Sequence, residues 1–286
     1  MRKIPDKLLE LKNDLVFQEL FGNPKNSQIT SHLLSLILKR EVYNIDLDAN
    51  KRMIRNNPNL KVGRLDIRVK FNDGEDCNIE LQVEPYKYME SRMLEYWAMM
   101  YGRKIHRGKE YDELKPSISI LITDYKLDKI KDIERYHTIW NLREEENQEM
   151  KLTNHIEMHI LEIPKIKDTE LEKDELARWL KFIENPESKE VKMFMCENKY
   201  WKQAMEELAY LSGDEHFQRE VEARAGFLMD QAVREEEAFK DGKAEGEAKG
   251  KKQNQLEIAK KMKAKNMPIN EIIELTNLTK EEIEKL

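Results

Sequence analysis

The stretch that most constrains the fold is 62–84, VGRLDIRVKFNDGEDCNIELQVE. Two runs of alternating apolar and polar residues flank Asn72-Asp73-Gly74, the pattern of a β-hairpin. Leu65, Ile67, Val69 and Phe71 mark one face of the first strand, and Ile79, Leu81 and Val83 one face of the second. Because side chains alternate along a strand, Asp66 falls on the polar face of the first, with Glu80 and Gln82 on the polar face of the second.

Register decides whether these groups can meet. A two-residue Asp73-Gly74 turn pairs Asn72 with Glu75 and sets Asp66 opposite Leu81, on the other side of the sheet from Glu80. A three-residue Asn72-Asp73-Gly74 loop, with Gly74 left-handed, pairs Phe71 with Glu75 and Asp66 with Glu80. The sequence predicts the three-residue loop or a compensating bulge.

An acid on one strand and Glu-Leu-Gln on its neighbour can build a metal-dependent hydrolytic site. Two carboxylates supply oxygen ligands for Mg²⁺, and a third polar group orients the attacking water. The plainer reading is a half-exposed hairpin with solvated charges, in a chain where 37% of residues are charged.

Further motifs stand in order around the hairpin. Asn13-Asp14-Leu15-Val16-Phe17 leads to Phe21-Gly22, then to a leucine-rich helix at 31–38. Gly63-Arg64-Leu65-Asp66 and Ile79-Glu80-Leu81-Gln82 follow, then a helix with Arg92 and Tyr96. Over about residues 10–165 the chain resembles the PD-(D/E)XK family of recombination-promoting nucleases and transposases. The resemblance implies an α/β fold, a restriction-endonuclease-like mixed sheet flanked by helices, with Mg²⁺ (Mn²⁺ as a substitute) and cleavage of DNA phosphodiesters. It assigns Asp66 and Glu80 as metal ligands, and Leu81 can add its backbone carbonyl. Gln82 stands where much of the wider superfamily has Lys, as is usual in this branch. Gln offers a neutral donor and acceptor in place of a positive charge, so lowering the water's pKa falls more heavily on the metal. Arg92 would engage a phosphate beside the metal, or else pair with a nearby acid such as Glu95.

The 286 residues suit one substantial core plus an appendage. No apolar run approaches the roughly 18 residues of a membrane span, and MRKIPDKLLE lacks the apolar core of a secretory signal. Cys77 and Cys196 lie far apart with no Cys-x-x-Cys, which fits a cytoplasmic protein and excludes a cysteine-rich zinc module. With a net charge of −6, any nucleic-acid surface must be a local basic patch.

Asp14 is an N-cap candidate for the first helix, with reach toward the site as the alternative role. The sequence predicts a second helix at 27–38 and a strand with its turn within 42–54. A Met-rich helix at 89–105 has Met93, Trp97 and Met100 as its core stripe. SISILIT at 117–123 reads as a strand buried on both faces, and 155–163 as another. His155, Glu157 and His159 alternate along that strand; a metal there lacks an evident fourth ligand, and half-exposure explains them equally.

Beyond Thr169 helices are predicted at 171–183, 188–194 and 199–212, packing on the core or on a partner chain. A long charged helix follows at about 214–252, its apolar stripe able to pair with another helix. Its end, DGKAEGEAKGKK, reads as a partly helical linker, with a close crossing in a dimer as the other reading. Residues 249–265 carry seven Lys and one acid. The last segment predicts short helices resembling a helix-turn-helix unit only weakly, because the final helix lacks side chains suited to base edges.

The expected organisation is a nuclease-like core at 1–168, a helical extension and long helix at 169–252, and a small tail at 253–286. The expected activity is Mg²⁺-dependent DNA endonuclease chemistry by Asp66, Glu80, Gln82 and Arg92, associated with recombination or mobile elements. Homodimerisation through the C-terminal helices is expected, without a membrane. The alternatives are a catalytically weak DNA- or protein-binding regulator on the same fold, and a helical adaptor in which the hairpin is incidental.

Overall fold

The computed structural model describes residues 7–47, 67–104, 110–167, 171–194 and 197–286. Among the described residues six strands form one mixed sheet: β1 (Asp46–Leu47), β2 (Ile67–Lys70), β3 (Asp76–Gln82), β4 (Ser117–Thr123), β5 (His137–Trp140) and β6 (Ile156–Glu162). Their spatial order is β1-β2-β3-β4-β6-β5. β1, β2 and β3 run antiparallel in turn, β3, β4 and β6 are parallel, and β5 returns antiparallel on the far edge.

The hairpin has the three-residue loop. Phe71 N–H donates to Glu75 O and Gly74 N–H to Phe71 O, both at 3.0 Å. Gly74 sits at φ +88°, and Asp73 accepts from Glu75 N–H at 3.0 Å. Val69 therefore faces Cys77 and Ile67 faces Ile79.

The two faces of β3 have different roles. Cys77, Ile79 and Leu81 join Ile118, Ile120, Ile122 and Leu161 in the main core. That core is closed by α1 (Asp14–Gly22), α2 (Ser27–Leu38), α4 (Glu175–Glu184), α5 (Lys189–Phe194) and α6 (Lys199–Ser212). Trp179 of α4 and Trp201 of α6 stack at 4.4 Å, and Trp179 meets Phe21 of α1 edge-on at 6.2 Å. The opposite face of β3, carrying Asp76, Asn78 and Glu80, is also buried, so these polar groups are not solvated, whereas Lys70 of β2 remains exposed. α3 (Met89–Gly102) lies on that side, with Met89 and Met93 packed on Leu121 and Ile160.

Two local expectations are corrected. Asn13, not Asp14, caps α1: its Oδ1 accepts from Leu15 N–H at 3.0 Å and Val16 N–H at 3.4 Å. Asp14 is the first helical residue and accepts from Leu15 N–H at 3.0 Å. In α3 the fully buried stripe is Met89, Met93, Tyr96 and Met100. Trp97 is half-buried, its indole N–H donating to Ser117 O at 2.9 Å, because a polar ring edge suits the rim better than the core.

The chain forms two compact units, Met1–Glu222 and Ala223–Leu286. One helix, α7 (Glu215–Ala264), runs unbroken through Gly242, Gly246 and Gly250, where the sequence predicts a partly helical linker. The intervening Ala, Glu and Lys are strong helix formers, and Lys240–Glu236 and Lys249–Glu245 pair one turn apart at 2.7 and 2.6 Å. Asn266 at φ 59° then ends the run. α8 (Ile269–Thr276) and α9 (Lys280–Glu284) fold back so that Ala259, Ile272, Leu278 and Ile283 make a small core. Thr279 and Glu282 close a capping box at the start of α9.

Candidate active site

Glu80 lies near the C-terminal end of β3, on the side facing α3, with its residue only 2% exposed. A carboxylate taken out of water needs compensation. Arg92 of α3 supplies it, its guanidinium bonded to Glu80 Oε1. The sequence offered pairing with a nearby acid such as Glu95 as the alternative to a phosphate contact; Glu80 of the sheet is such an acid.

Arg92 is fixed on several sides. Its Nε donates to Tyr96 Oη at 3.0 Å, and the guanidinium lies over the rings of Tyr86 (5.6 Å) and Tyr96 (5.4 Å). Burial pushes the Tyr96 phenol above its ordinary pKa; the Arg92 charge opposes that rise and the Glu80 charge adds to it. The phenol therefore stays protonated near neutral pH.

Gln82 follows two residues on, half-buried, with Nε2 donating to Glu84 O at 3.0 Å. Leu81 turns its side chain into the main core, as the alternation predicts. β3 and β4 end together, Gln82 opposite Thr123, and Asp124 N–H donates to Gln82 O at 3.1 Å. Lys12 reaches this end and pairs with Asp124 at 2.9 Å. Asp66 and the rest of Gly63-Arg64-Leu65-Asp66 lie outside the described residues.

Sequence reasoning passed over a second buried acid on the same face. Asp76 is 2% exposed and faces Arg68 at 3.3 Å and Lys104 at 3.5 Å. Burial lowers the Lys104 pKa, and Asp76 opposes that. Between the two acids, Asn78 accepts from Ser119 Oγ at 2.6 Å. The signal was present, because Asp76, Asn78, Glu80 and Gln82 share one parity. Four residues separate the acids, about 13 Å along a strand, so Asp76 is too far to share a ligand with Glu80.

Among the described residues no group of three or more His, Cys, Asp or Glu is placed to hold a metal ion. In the alternating set His155, Glu157 and His159, on and just before β6, His159 bonds to Glu157 at 2.8 Å and to His137 of β5 at 2.9 Å, while His155 bonds to Tyr101 at 2.7 Å. Among the described residues no helix is long and apolar enough to cross a membrane.

The family model described as PD-(D/E)XK nuclease family transposase matches residues 11–238. That span runs past the sheet and through the helices that close the main core, well beyond the roughly 10–165 over which the sequence motifs carry the resemblance. No curated protein and no solved structure matches the chain. With a mixed sheet flanked by helices, a buried Glu80 on its central hairpin and a family match over most of its length, the chain belongs to the PD-(D/E)XK nuclease family transposases.

Proposed function

We propose that the chain is a metal-dependent DNA endonuclease, associated with recombination or mobile elements, which hydrolyses phosphodiester bonds. The observation that carries this reading is the placement of Glu80: a carboxylate closed from solvent, near the end of a central strand, joined to an arginine from the covering helix. Structural acids are rarely buried without such a role or such a partner.

The donor set fits a hard divalent cation. Asp66 and Glu80 carboxylates with the Leu81 carbonyl would hold Mg²⁺, Mn²⁺ substituting, because all three offer oxygen. When bound, the ion supplies Lewis-acid activation of water and charge neutralisation at the phosphate. Gln82, with its amide at the open end of β3, orients the attacking water by hydrogen bonding. Arg92 exchanges part of its contact with Glu80 for a non-bridging phosphate oxygen, a partner guanidinium groups suit well. The protein acts in the cytoplasm on DNA, as a homodimer through its C-terminal helices.

A second reading is a regulator with weak catalysis that binds DNA or protein on the same fold. It is favoured by one observation, that Glu80 already has a cation in Arg92. Nicking of supercoiled plasmid separates the two. Wild type, Asp66→Ala and Glu80→Gln are assayed with Mg²⁺, Mn²⁺ and EDTA. Nicking that needs metal and both acids supports the nuclease. A folded wild type inert in both metals, with DNA affinity indifferent to the substitutions, supports the regulator.

A further inference from the structure

A pocket of about 240 Å³ opens between the end of α2, β5 and the start of α4, with Lys39, Arg135, Tyr136, His137 and Asp174 as its polar lining. His137 pairs with Leu161, whose side chain joins the main core, so the pocket lies on the core side of the sheet. Glu80 lies on the other side, toward α3.

The state of His137 follows from its neighbours. Glu157 accepts from His159 Nε2 at 2.8 Å, and that bond holds the Glu157 carboxyl below its ordinary range. With both rings neutral, His159 thus carries its proton on Nε2 and presents a lone pair at Nδ1. That lone pair accepts from His137 Nε2 at 2.9 Å. His137 is left with an unprotonated Nδ1, which has no hydrogen-bond partner among the described residues. A carboxylate and two imidazoles in series therefore fix one lone pair at the pocket.

The charges around it are uneven. Lys39 and Arg135 are exposed, and neither has an ion-pair partner among the described residues. Burial lowers the His137 pKa, and both of these cations lower it further. Asp174 is committed elsewhere, accepting from the Tyr136 hydroxyl at 2.5 Å and from Leu176 N–H at 2.9 Å. Glu134, beside Arg135, pairs with Lys167 at 2.9 Å.

Two free cations call for an anion, and the lone pair calls for a proton on it. A carboxylate or a phosphodiester at neutral pH brings charge without a proton and would meet Nδ1 lone pair to lone pair. A phosphate monoester brings both, because its second pKa is about 6. We propose that this pocket binds a phosphate monoester, its anionic oxygens between Lys39 and Arg135 and its proton shared with His137 Nδ1. The site is separate from Glu80 and independent of the cleavage chemistry.

Calorimetric titration of the full chain in EDTA tests it, with thymidine 5′-monophosphate, its methyl phosphodiester and inorganic phosphate as probes. The monophosphate is expected to bind at least about tenfold tighter than the methyl ester, which cannot supply the proton. Lys39→Gln and Arg135→Gln should each weaken it about fivefold or more, with unchanged melting because both side chains are exposed. Arg92→Gln, on the other side of the sheet, should leave it unchanged.

Equal affinity for monoester and methyl ester would overturn the role of His137. Binding indifferent to both Lys39→Gln and Arg135→Gln, or lost in Arg92→Gln, would overturn the pocket. No binding of any probe up to roughly 10 mM would overturn the whole proposal. Inorganic phosphate as tight as the nucleotide would make the phosphoryl group the entire ligand. A 5′-phosphorylated oligonucleotide tighter than both would make it a strand end.

Discussion

The Arg92 guanidinium reaches from α3 to Glu80 on β3, where the acid's side chain is 3% exposed against 28% for the arginine. The pair is thus lopsided: Glu80 depends on its partner far more than Arg92 does. Arg92→Ala is expected to destabilise the metal-free protein by about 2–4 kcal/mol, somewhat below a fully buried pair because Arg92 keeps some solvent. Combining it with Glu80→Gln removes the stranded charge, so the double variant should lose less than the sum of the singles. Urea unfolding of the four proteins checks this. On the nuclease reading, Mg²⁺ should restore more stability to Arg92→Ala than it adds to wild type, because the ion then supplies the missing positive charge.

The hairpin loop gives a backbone prediction. Gly74 stands at φ +88°, and a Cβ there would approach Lys115 Cγ to 3.2 Å. Gly74→Ala should cost about 1–2 kcal/mol, whereas Gly74→Asn should cost less, since Asn tolerates the left-handed region. Thermal melts of the two variants rank them. Equal losses would mean that contact with Lys115, not backbone conformation, dominates.

These two cases show what the sequence made legible. Alternation around Asn72-Asp73-Gly74 placed Glu80 opposite the core face, and the demand of Gly74 for a left-handed conformation set the loop length. SISILIT was recognisable as a central strand because it is apolar at nearly every position, as a strand covered on both sides must be. What alternation could not reveal was that the polar side of β3 is buried as well. That depends on α3 folding over it, a long-range event that local pattern does not encode. The Arg92–Glu80 pairing and the Asp76–Arg68–Lys104 cluster were hidden for the same reason. The unbroken course of α7 was missed because three glycines argue against a helix locally, while the Ala, Glu and Lys between them outweigh that.

Helices after residue 169 read from sequence as packing on the core or on a partner chain, and their aromatics settle on this chain's own core. Trp179 and Trp201 are both fully buried there, against α1 and α2. Trp201→Ala should cost about 3–5 kcal/mol. A chain ending at residue 168 would leave Phe17, Phe21, Leu33 and Leu34 uncovered and should be insoluble or molten. Limited proteolysis and near-ultraviolet circular dichroism report both outcomes.

A pair of histidines at the sheet's far edge makes stability depend on pH. His137 bonds to His159 at 2.9 Å, and burial, helped by the His159 charge, lowers its pKa from 6.5 to about 4. The unfolded chain thus takes up a proton that the folded chain refuses. Stability from this group is complete above about pH 6.5 and is lost as pH falls toward 4. The loss should be on the order of 1–3 kcal/mol. Urea midpoints for wild type and His137→Asn across that window test it. Wild type should fall more steeply with acid than the variant. Parallel curves would mean that His137 is free to protonate in the folded protein, and that the acid sensitivity of the fold arises from its carboxylates.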